Sequence, residues 1–136
     1  MSRLSRFWSS RSGASAVEMA FVLPGFLFLL MGGSNLVLVT YANMCLNAAT
    51  EAGARYASVR SVQNSGTAPT QTAVSSYAAS IYKGPGIKNM TFTYATTGTC
   101  GSTGANGNVV TGSGSYHLFY GIGNISIGMN TTACYP

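Results

Sequence analysis

The sequence has little charge, and acidic residues are its scarcest charged type. Among 136 residues only Glu18 and Glu51 are acidic, and His117 is the single histidine. Neither a Cys-x-x-Cys pair nor a phosphate-binding glycine motif occurs, so no metal or nucleophile constellation can be assembled. Ser113 or Ser115 beside His117 has no acidic residue nearby in sequence, although folding could bring Glu51 close. We expect no catalytic residue, metal or cofactor, and therefore no enzyme.

The few basic residues are spread in a way that argues against a nucleic-acid partner. Seven lysines and arginines give a formal net charge of +5. Three of them, Arg3, Arg6 and Arg11, lie within the first thirteen residues, and the remaining four are scattered between Arg55 and Lys88. A chain beginning at Ala14 would carry about +2, four basic minus two acidic residues, which is too weak for a surface that follows phosphates.

Three cysteines fit an oxidising compartment in which two pair and one does not. Cys100 and Cys134 are the natural pair, and their bond would close a loop that stabilises a small domain by roughly 3 to 4 kcal/mol. Cys45 would then be a small buried side chain in a helix. The alternative is three unpaired structural thiols.

A long apolar run is the dominant feature of the first half. Residues 19–41 contain no charge, and 23 residues are enough to cross about 30 Å of hydrocarbon as a helix. Basic residues precede this run and none follows it until Arg55, so the positive-inside bias predicts a cytoplasmic N-terminus. Pro24 and the stretch Gly32–Asn35 are expected weak points of the helix.

Glu18 stands at the entrance of the apolar run, where a solitary ionised carboxylate is costly. A cut after Gly13 would supply a partner, because the new amine of Ala14 is mostly protonated at neutral pH. Ala14 and Glu18 are spaced i, i+4, so the two groups can pair within one helix or between neighbouring helices. The alternative is a carboxylate that stabilises the helix N-terminus at the headgroup interface.

At these residues the sequence resembles a known family. The run RSGASAVEMAFVLPGFLFLLMGG and the small-residue stretch Ala48–Ala57 are similar to TadE-like minor pseudopilins of the tight-adherence (Flp, type IVb-like) pilus system. The resemblance implies that a prepilin peptidase cuts after Gly13 and that Glu18 is the fifth residue of the mature chain. It further implies contacts with other pilin subunits through the N-terminal helix, a location in the bacterial inner membrane or an extracellular pilus, and a role in adhesion and biofilm formation.

The helix is expected to continue beyond the membrane to about Val62. Small and apolar residues recur there at steps of three and four, which forms a seam for close packing. The seam consists of Val39, Ala42, Leu46, Ala49, Gly53 and Tyr56. It could receive another helix or the protein's own sheet, and we favour the latter.

The remainder predicts a small outer domain. A polar run from Gln63 to Pro69 ends the first helix, and a second one follows, with an apolar face of Ala73, Val74, Tyr77, Ala78 and Ile81 and with Lys83 in its last turn. Alternating residues then predict strands at residues 87–95, 108–111, 115–120 and 124–130. The glycine-rich stretch from Thr96 to Gly114 is predicted to be a long loop that a disulfide tethers.

The predicted fold is therefore α+β, with a long N-terminal transmembrane helix, pilin-like by the resemblance, and a small outer domain of a short helix and an antiparallel sheet. Residues 1–13 form the leader, residues 14–62 the helix with its membrane-spanning part at about 19–41, and residues 63–136 the extracytoplasmic domain.

Two other readings remain open. The basic start, the apolar stretch and the small residues Gly32 and Ser34 resemble a signal peptide, which predicts a secreted binding module that begins near Asn35. An uncleaved bitopic anchor that presents a recognition domain is the other.

Overall fold

The fold consists of two helices followed by three strands. The computed structural model describes residues 11–100, 105–119 and 124–136. The elements are helix α1 (Arg11–Gln63), helix α2 (Gln71–Ile81) and strands β1 (Lys88–Cys100), β2 (Ala105–Phe119) and β3 (Asn124–Tyr135). The predicted α+β class, with its long apolar helix, short second helix and antiparallel sheet, is confirmed.

Helix α1 is continuous over 53 residues and contains Pro24. Its expected weak point at residues 32–35 is helical, and the polar side chains there bond to the helix backbone. Ser34 Oγ donates to the Leu30 carbonyl at 2.7 Å, and Asn35 Nδ2 donates to the Met31 carbonyl at 2.8 Å. A polar side chain in an apolar helix is thus partnered without breaking the helix.

The end of α1 is a tight left-handed turn. Ser65 and Gly66 have φ of 54° and 88°, and the Gly66 N–H donates to the Ser61 carbonyl at 2.8 Å. A bond that spans five residues at a left-handed position is how many helices satisfy their last carbonyls. The polar run was therefore correctly predicted to end the helix.

The chain divides into two compact units, residues 1–36 and residues 37–136. The second, which we call the outer unit, has its own core. Side chains of α1 supply half of this core, and α2 and the three strands supply the rest. The buried apolar residues are Ala42, Leu46, Ala49, Ala54, Ala57, Val74, Ala78, Phe92, Val110 and Met129. The predicted seam therefore packs on its own domain.

Helix α2 begins at the cap residue Thr70, whose side-chain oxygen accepts a hydrogen bond from the Ala73 N–H. Val74 and Ala78 of the predicted apolar face are buried, whereas Tyr77 lies at the surface and stacks on Tyr56 at 4.4 Å between ring centroids. Lys83 was predicted in the last turn, which is wrong, since the helix ends at Ile81.

The sheet is antiparallel with the order β1-β2-β3. Strand β2 unites the predicted strands 108–111 and 115–120 in one element, with Tyr120 outside the described residues, and β3 extends past its predicted end at Asn130 to Tyr135. Val110 and Gly112 face α1, so the even-numbered positions of β2 form the inner face.

The long loop predicted for Thr96–Gly114 is wrong. Residues 96–100 belong to β1 and residues 105–114 to β2, paired from Cys100 with Ala105 to Thr91 with Ser113. The glycines that suggested a loop are instead places of close approach: a Cβ on Gly112 would lie 2.5 Å from Thr50 Oγ1, and one on Gly107 would overlap Cys100 Sγ. Glycine inside a strand commonly marks such an approach.

Helix α2 is tied to the edge of the sheet through one side chain. Gln71 Nε2 donates to the Phe92 carbonyl at 2.9 Å, and the Tyr94 N–H donates to Gln71 Oε1 at 2.7 Å. The amide thereby satisfies the backbone groups of β1 that a fourth strand would otherwise bind. Gln71 closes this edge and fixes the start of α2 against it.

Candidate functional site

The first functional feature is the start of α1. Gly13 and Ala14 lie in the helix, whose first residue is Arg11, and Glu18 follows one turn later with its side chain exposed. Ala14 and Glu18 are four residues apart, which is about 6 Å along a helix axis. An amine created at Ala14 would therefore stand one turn from the Glu18 carboxylate, within reach of a side-chain ion pair. Arg3 and Arg6 of the predicted leader lie outside the described residues.

The second feature is the apolar part of α1, which exposes large side chains on all sides. Phe21 is 81% exposed and Leu29 77%, and the residues between Val17 and Met31 include eleven exposed large hydrophobics. A helix that is apolar all round needs lipid or other helices around it. Within the part of the chain that the structure describes, this is one helix long and apolar enough to cross a membrane.

Strand β3 is held to α1 by a buried pair of threonine hydroxyls. Thr50 Oγ1 lies 2.7 Å from the Leu46 carbonyl and 2.8 Å from Thr131 Oγ1 of β3. A hydroxyl has one proton, and the carbonyl can only accept, so Thr50 donates to Leu46 and accepts from Thr131. The pair fixes β3 on the face of α1 at one register.

The end of β3 is fixed to α1 by two further contacts. Arg55 Nε donates to the Tyr135 hydroxyl at 3.0 Å, and its guanidinium lies 5.5 Å from the centre of that ring. Ser58 Oγ donates to the Pro136 carbonyl at 3.1 Å. With the threonine pair, these contacts make β3 follow α1 from Thr50 to Ser58.

A disulfide joins β1 to β3. Cys100 and Cys134 are bonded, with 5.4 Å between their Cα atoms and a sequence separation of 34. The predicted pairing is confirmed. Cys45 is a free thiol and half-buried on α1, next to Gly84 in the turn after α2.

An open groove of about 900 Å³ lies on α1 between the side chains of Tyr77 and Tyr135. Ala48 and Ala52 form part of its floor, and Glu51 lies beside them. The groove places small side chains of α1 between two tyrosines, and Arg55 and Ser58 also line it.

Tyr82 is the most strongly perturbed ionisable side chain outside the apolar part of α1. Burial first, and then the neighbouring Cys45, Tyr116 and Tyr41, which oppose a second negative charge, together raise its pKa to about 12. The protonated Tyr82 hydroxyl donates to the Pro85 carbonyl at 2.6 Å. Tyr82 is therefore a neutral structural donor at physiological pH.

The structure separates the residues that could have formed a hydrolase-like group. Ser113, Ser115 and His117 are odd-numbered positions of β2 and face away from α1, whereas Glu51 lies on α1. Ser113 and Ser115 bond across to Thr91 Oγ1 and the Lys88 carbonyl. The sheet thus stands between Glu51 and His117. No three metal-binding side chains converge within residues 11–100, 105–119 and 124–136.

Sequence reasoning predicted the disulfide correctly, and the roles of Gly13, Ala14 and Glu18 stay predictions, but it missed the contacts that hold the unit together. Thr50, Thr131 and Gln71 had no pattern that distinguishes them from other polar residues. Their partners lie more than twenty residues away in sequence, so only the fold brings them together.

The fold and these features define a class of protein: a single apolar helix, suited to one membrane crossing, that continues into a small disulfide-bonded α+β unit. Residues 13–55 match the family described as TadE-like protein, a match of 43 residues that begins at Gly13 and ends at Arg55. The resemblance seen in the sequence is confirmed over these residues, and the match is consistent with a TadE-like protein of tight-adherence pilus systems. This pilin-like family is structural and not enzymatic.

No curated protein and no solved structure matches the chain.

Proposed function

We propose that this protein is a minor pilin-like subunit of a tight-adherence, type IV-like pilus and that a prepilin peptidase processes it after Gly13. The family match carries the proposal, because it starts at Gly13 and includes Glu18 and the whole apolar run. The leader that is removed contains Arg3, Arg6 and Arg11. A single cut therefore removes these three arginines and creates the Ala14 amine.

Glu18 then acts in assembly. Its carboxylate lies at the start of an apolar helix, where an unpaired charge is unfavourable and a paired one is tolerated. Pairing with the amine of an adjacent subunit neutralises both charges and sets the axial register of two helices. The exposed side chains between Met19 and Tyr41 pack on those of the neighbours once the subunits leave the lipid.

The outer unit distinguishes the subunit from a major pilin of this system, which the resemblance implies to be little more than a helix. Residues 37–136 form a folded unit with its own core and disulfide. Such a unit on each copy would crowd the shaft of a thin filament. We therefore assign the protein to initiation or assembly of the pilus, and through the pilus to adhesion and biofilm formation.

In this proposal the N-terminus lies in the cytoplasm and the outer unit beyond the inner membrane. The basic residues before the apolar run and the uncharged stretch after it support this orientation through the positive-inside bias. A disulfide between Cys100 and Cys134 supports it as well, since disulfides persist in oxidising compartments. The partners are the prepilin peptidase and other pilin or pseudopilin subunits.

Substitution at the cleavage site tests the proposal in the native host. Gly13→Leu should accumulate as a precursor thirteen residues longer than the mature chain and should be absent from sheared pili. Gly25→Leu is the matched control, because it adds the same side chain to the same helix at a glycine with nothing within 4 Å. Equal processing of both variants would contradict the proposal.

A secreted module is the second candidate, and one observation favours it. The compact outer unit begins at Val37, close to the predicted signal-peptidase site after Ser34. Such a product would start near Asn35 and would keep Leu36, Val37 and Met44 exposed on its first turns. An uncleaved anchor would instead leave the size of the Gly13→Leu variant unchanged.

A further inference from the structure

The residues that line the groove between Tyr77 and Tyr135 all belong to the outer unit. Ala48 and Ala52 lie at its floor, and their short side chains leave room above α1. The groove is open and about 900 Å³ in volume, a size that sites for organic ligands commonly have. The proposed role of the apolar half of α1 does not use this surface.

The tyrosine rings of the groove are held in place by each other and by two arginines. Tyr77 stacks on Tyr56, with 4.4 Å between the ring centroids and 16° between the ring planes. The Arg60 guanidinium lies 5.4 Å from the centre of the Tyr56 ring, and the Arg55 guanidinium lies 5.5 Å from the centre of the Tyr135 ring. Rings that are fixed in this way offer a rigid apolar surface at a low cost in conformational entropy.

The two arginines keep hydrogen-bond donors for an anion. A guanidinium has five N–H groups in one plane, so stacking on a ring occupies its face and leaves the N–H groups at its edge. Arg55 donates its Nε proton to the Tyr135 hydroxyl, which leaves its two terminal amino groups. Such a pair of amino groups binds a carboxylate through two parallel hydrogen bonds. The arginine end of the groove therefore suits a carboxylate.

Glu51 gives the other end of the groove the opposite charge. It precedes Arg55 by four residues and Arg60 by nine, which is about 6 Å and about 14 Å along the helix axis. Its exposed carboxylate accepts hydrogen bonds from hydroxyl or amide groups and repels an anion. A ligand that fits the groove therefore has an anion at one end and neutral polar groups at the other, with an apolar face between the tyrosines.

A polysaccharide in which uronic acids alternate with neutral N-acetylated sugars has this chemistry. The C–H faces of its sugar rings pack on tyrosine rings, its hydroxyl and acetamido groups donate to a carboxylate, and its own carboxylates bind arginine. A single-stranded nucleic acid also has rings and anions, but a phosphate on every nucleotide would place one beside Glu51. The four basic residues of the outer unit are also too few and too scattered to follow such a chain.

We propose that the groove binds a polysaccharide that alternates uronic acids with neutral N-acetylated sugars, with a sugar ring against Tyr77 and a carboxylate on Arg55 and Arg60. The proposal goes beyond a role in pilus assembly and requires only the folded outer unit. Such a site gives the protein a direct contact with an acidic matrix polymer, in addition to its contacts with other subunits.

Titration of the full chain in a nonionic detergent, with its disulfide formed, tests this proposal. The probe is a hyaluronan hexasaccharide, which alternates glucuronic acid with N-acetylglucosamine, and binding is measured by calorimetry and by saturation-transfer NMR. We expect saturable binding that weakens as salt is added, because exposed charge pairs are screened. A chitin hexasaccharide has the same number of sugars and no carboxylate, and it should bind about tenfold more weakly.

Charge variants locate the binding site. Arg55→Gln should lower the affinity for the hyaluronan probe about tenfold, because the carboxylate loses its charged partner. Lys83→Gln is the matched control, since it removes one exposed positive charge that does not line the groove. Because Arg55 also holds Tyr135, Arg60→Gln is the second variant if Arg55→Gln does not fold, and it should lower the affinity about threefold.

Three results would overturn the proposal. The first is the absence of saturable binding of the hyaluronan probe, or equal affinity for the hyaluronan and chitin probes. The second is equal affinity of the Lys83→Gln chain and the arginine variants. The third is equal or tighter binding of an oligothymidylate that carries the same number of charges, which would show that the arginines bind any polyanion.

Discussion

The two halves of α1 belong to one continuous helix and have opposite environments. In the first half, Phe21 and Leu29 project from the helix with most of their surface exposed. In the second half, Ala42, Leu46 and Ala49 are fully buried under the sheet. Burial in the protein's own core needs no partner, whereas exposed apolar surface of this size does. The first half therefore needs lipid or other helices around it, whereas the second half stabilises the protein's own core.

Substitution of Glu18 should separate the two halves most sharply. We expect Glu18→Ala to abolish recovery of the protein in sheared pili, because the Ala14 amine would lose its partner, and to leave the outer unit folded. Immunoblots of sheared and cellular fractions measure this. Glu51→Ala is the matched control, an exposed acid of the same helix that lies within the outer unit. Normal recovery of Glu18→Ala in sheared pili would contradict the proposal that assembly depends on the first half of α1.

Loss of the disulfide should be the largest effect on stability and should fall on the outer unit alone. Closing a loop with a sequence separation of 34 contributes about 3 to 4 kcal/mol to the free energy of unfolding. Denaturant unfolding of Cys100→Ser with Cys134→Ser, in detergent, should show this loss. Cys45→Ser removes a thiol that forms no disulfide and should change the free energy by less than about 1 kcal/mol.

A methyl group added at the close approach of α1 and β2 should lower stability by an intermediate amount. A Cβ on Gly112 would meet Thr50 Oγ1 at 2.5 Å and Phe92 Cε1 at 2.9 Å, whereas one on Gly128 meets nothing within 4 Å. Overpacking of this kind costs about 1 to 3 kcal/mol, so Gly112→Ala should be destabilised and Gly128→Ala nearly neutral. Equal midpoints of unfolding for the two variants would show that α1 and β2 do not approach so closely.

The smallest effect concerns pH. The pKa of Tyr82 rises from 10 to about 12 in the folded protein because burial disfavours the phenolate. A raised folded pKa means that the stabilisation from this group is complete below pH 10 and is lost as pH rises toward 12. Unfolding midpoints measured between these values should fall less steeply for Tyr82→Phe than for the parent chain. An equal fall of the midpoints with pH in the two chains would show that Tyr82 does not cause the loss of stability.

Much of α1 could be predicted because its signals are local. The apolar run, the spacing from Ala14 to Glu18 and the seam from Ala42 to Gly53 are properties of one helix, and periodicity reveals them. The disulfide followed from the number and positions of the cysteines.

The sheet was harder to predict because strand pairing is non-local. From the sequence alone, Gly107 and Gly112 are typical of a loop. Only the structure shows that Cys100 and Thr50 lie close to them. The hydrogen bond between Thr50 and Thr131 joins residues 81 apart in sequence, and no pattern in either segment predicts it. The glycines of this sheet lie where other atoms pack closely against the strand. Only the folded structure distinguishes such a glycine from one in a turn.

The central claim is that one cut after Gly13 turns a basic precursor into a nearly neutral subunit whose Glu18 faces a new amine. Chemical sequencing of the N-terminus of the protein purified from native membranes tests it most directly. We expect the sequence Ala-Ser-Ala-Val-Glu, beginning at Ala14. A start at Met1 or near Asn35 would contradict the claim, since either product would lack the amine one turn from Glu18.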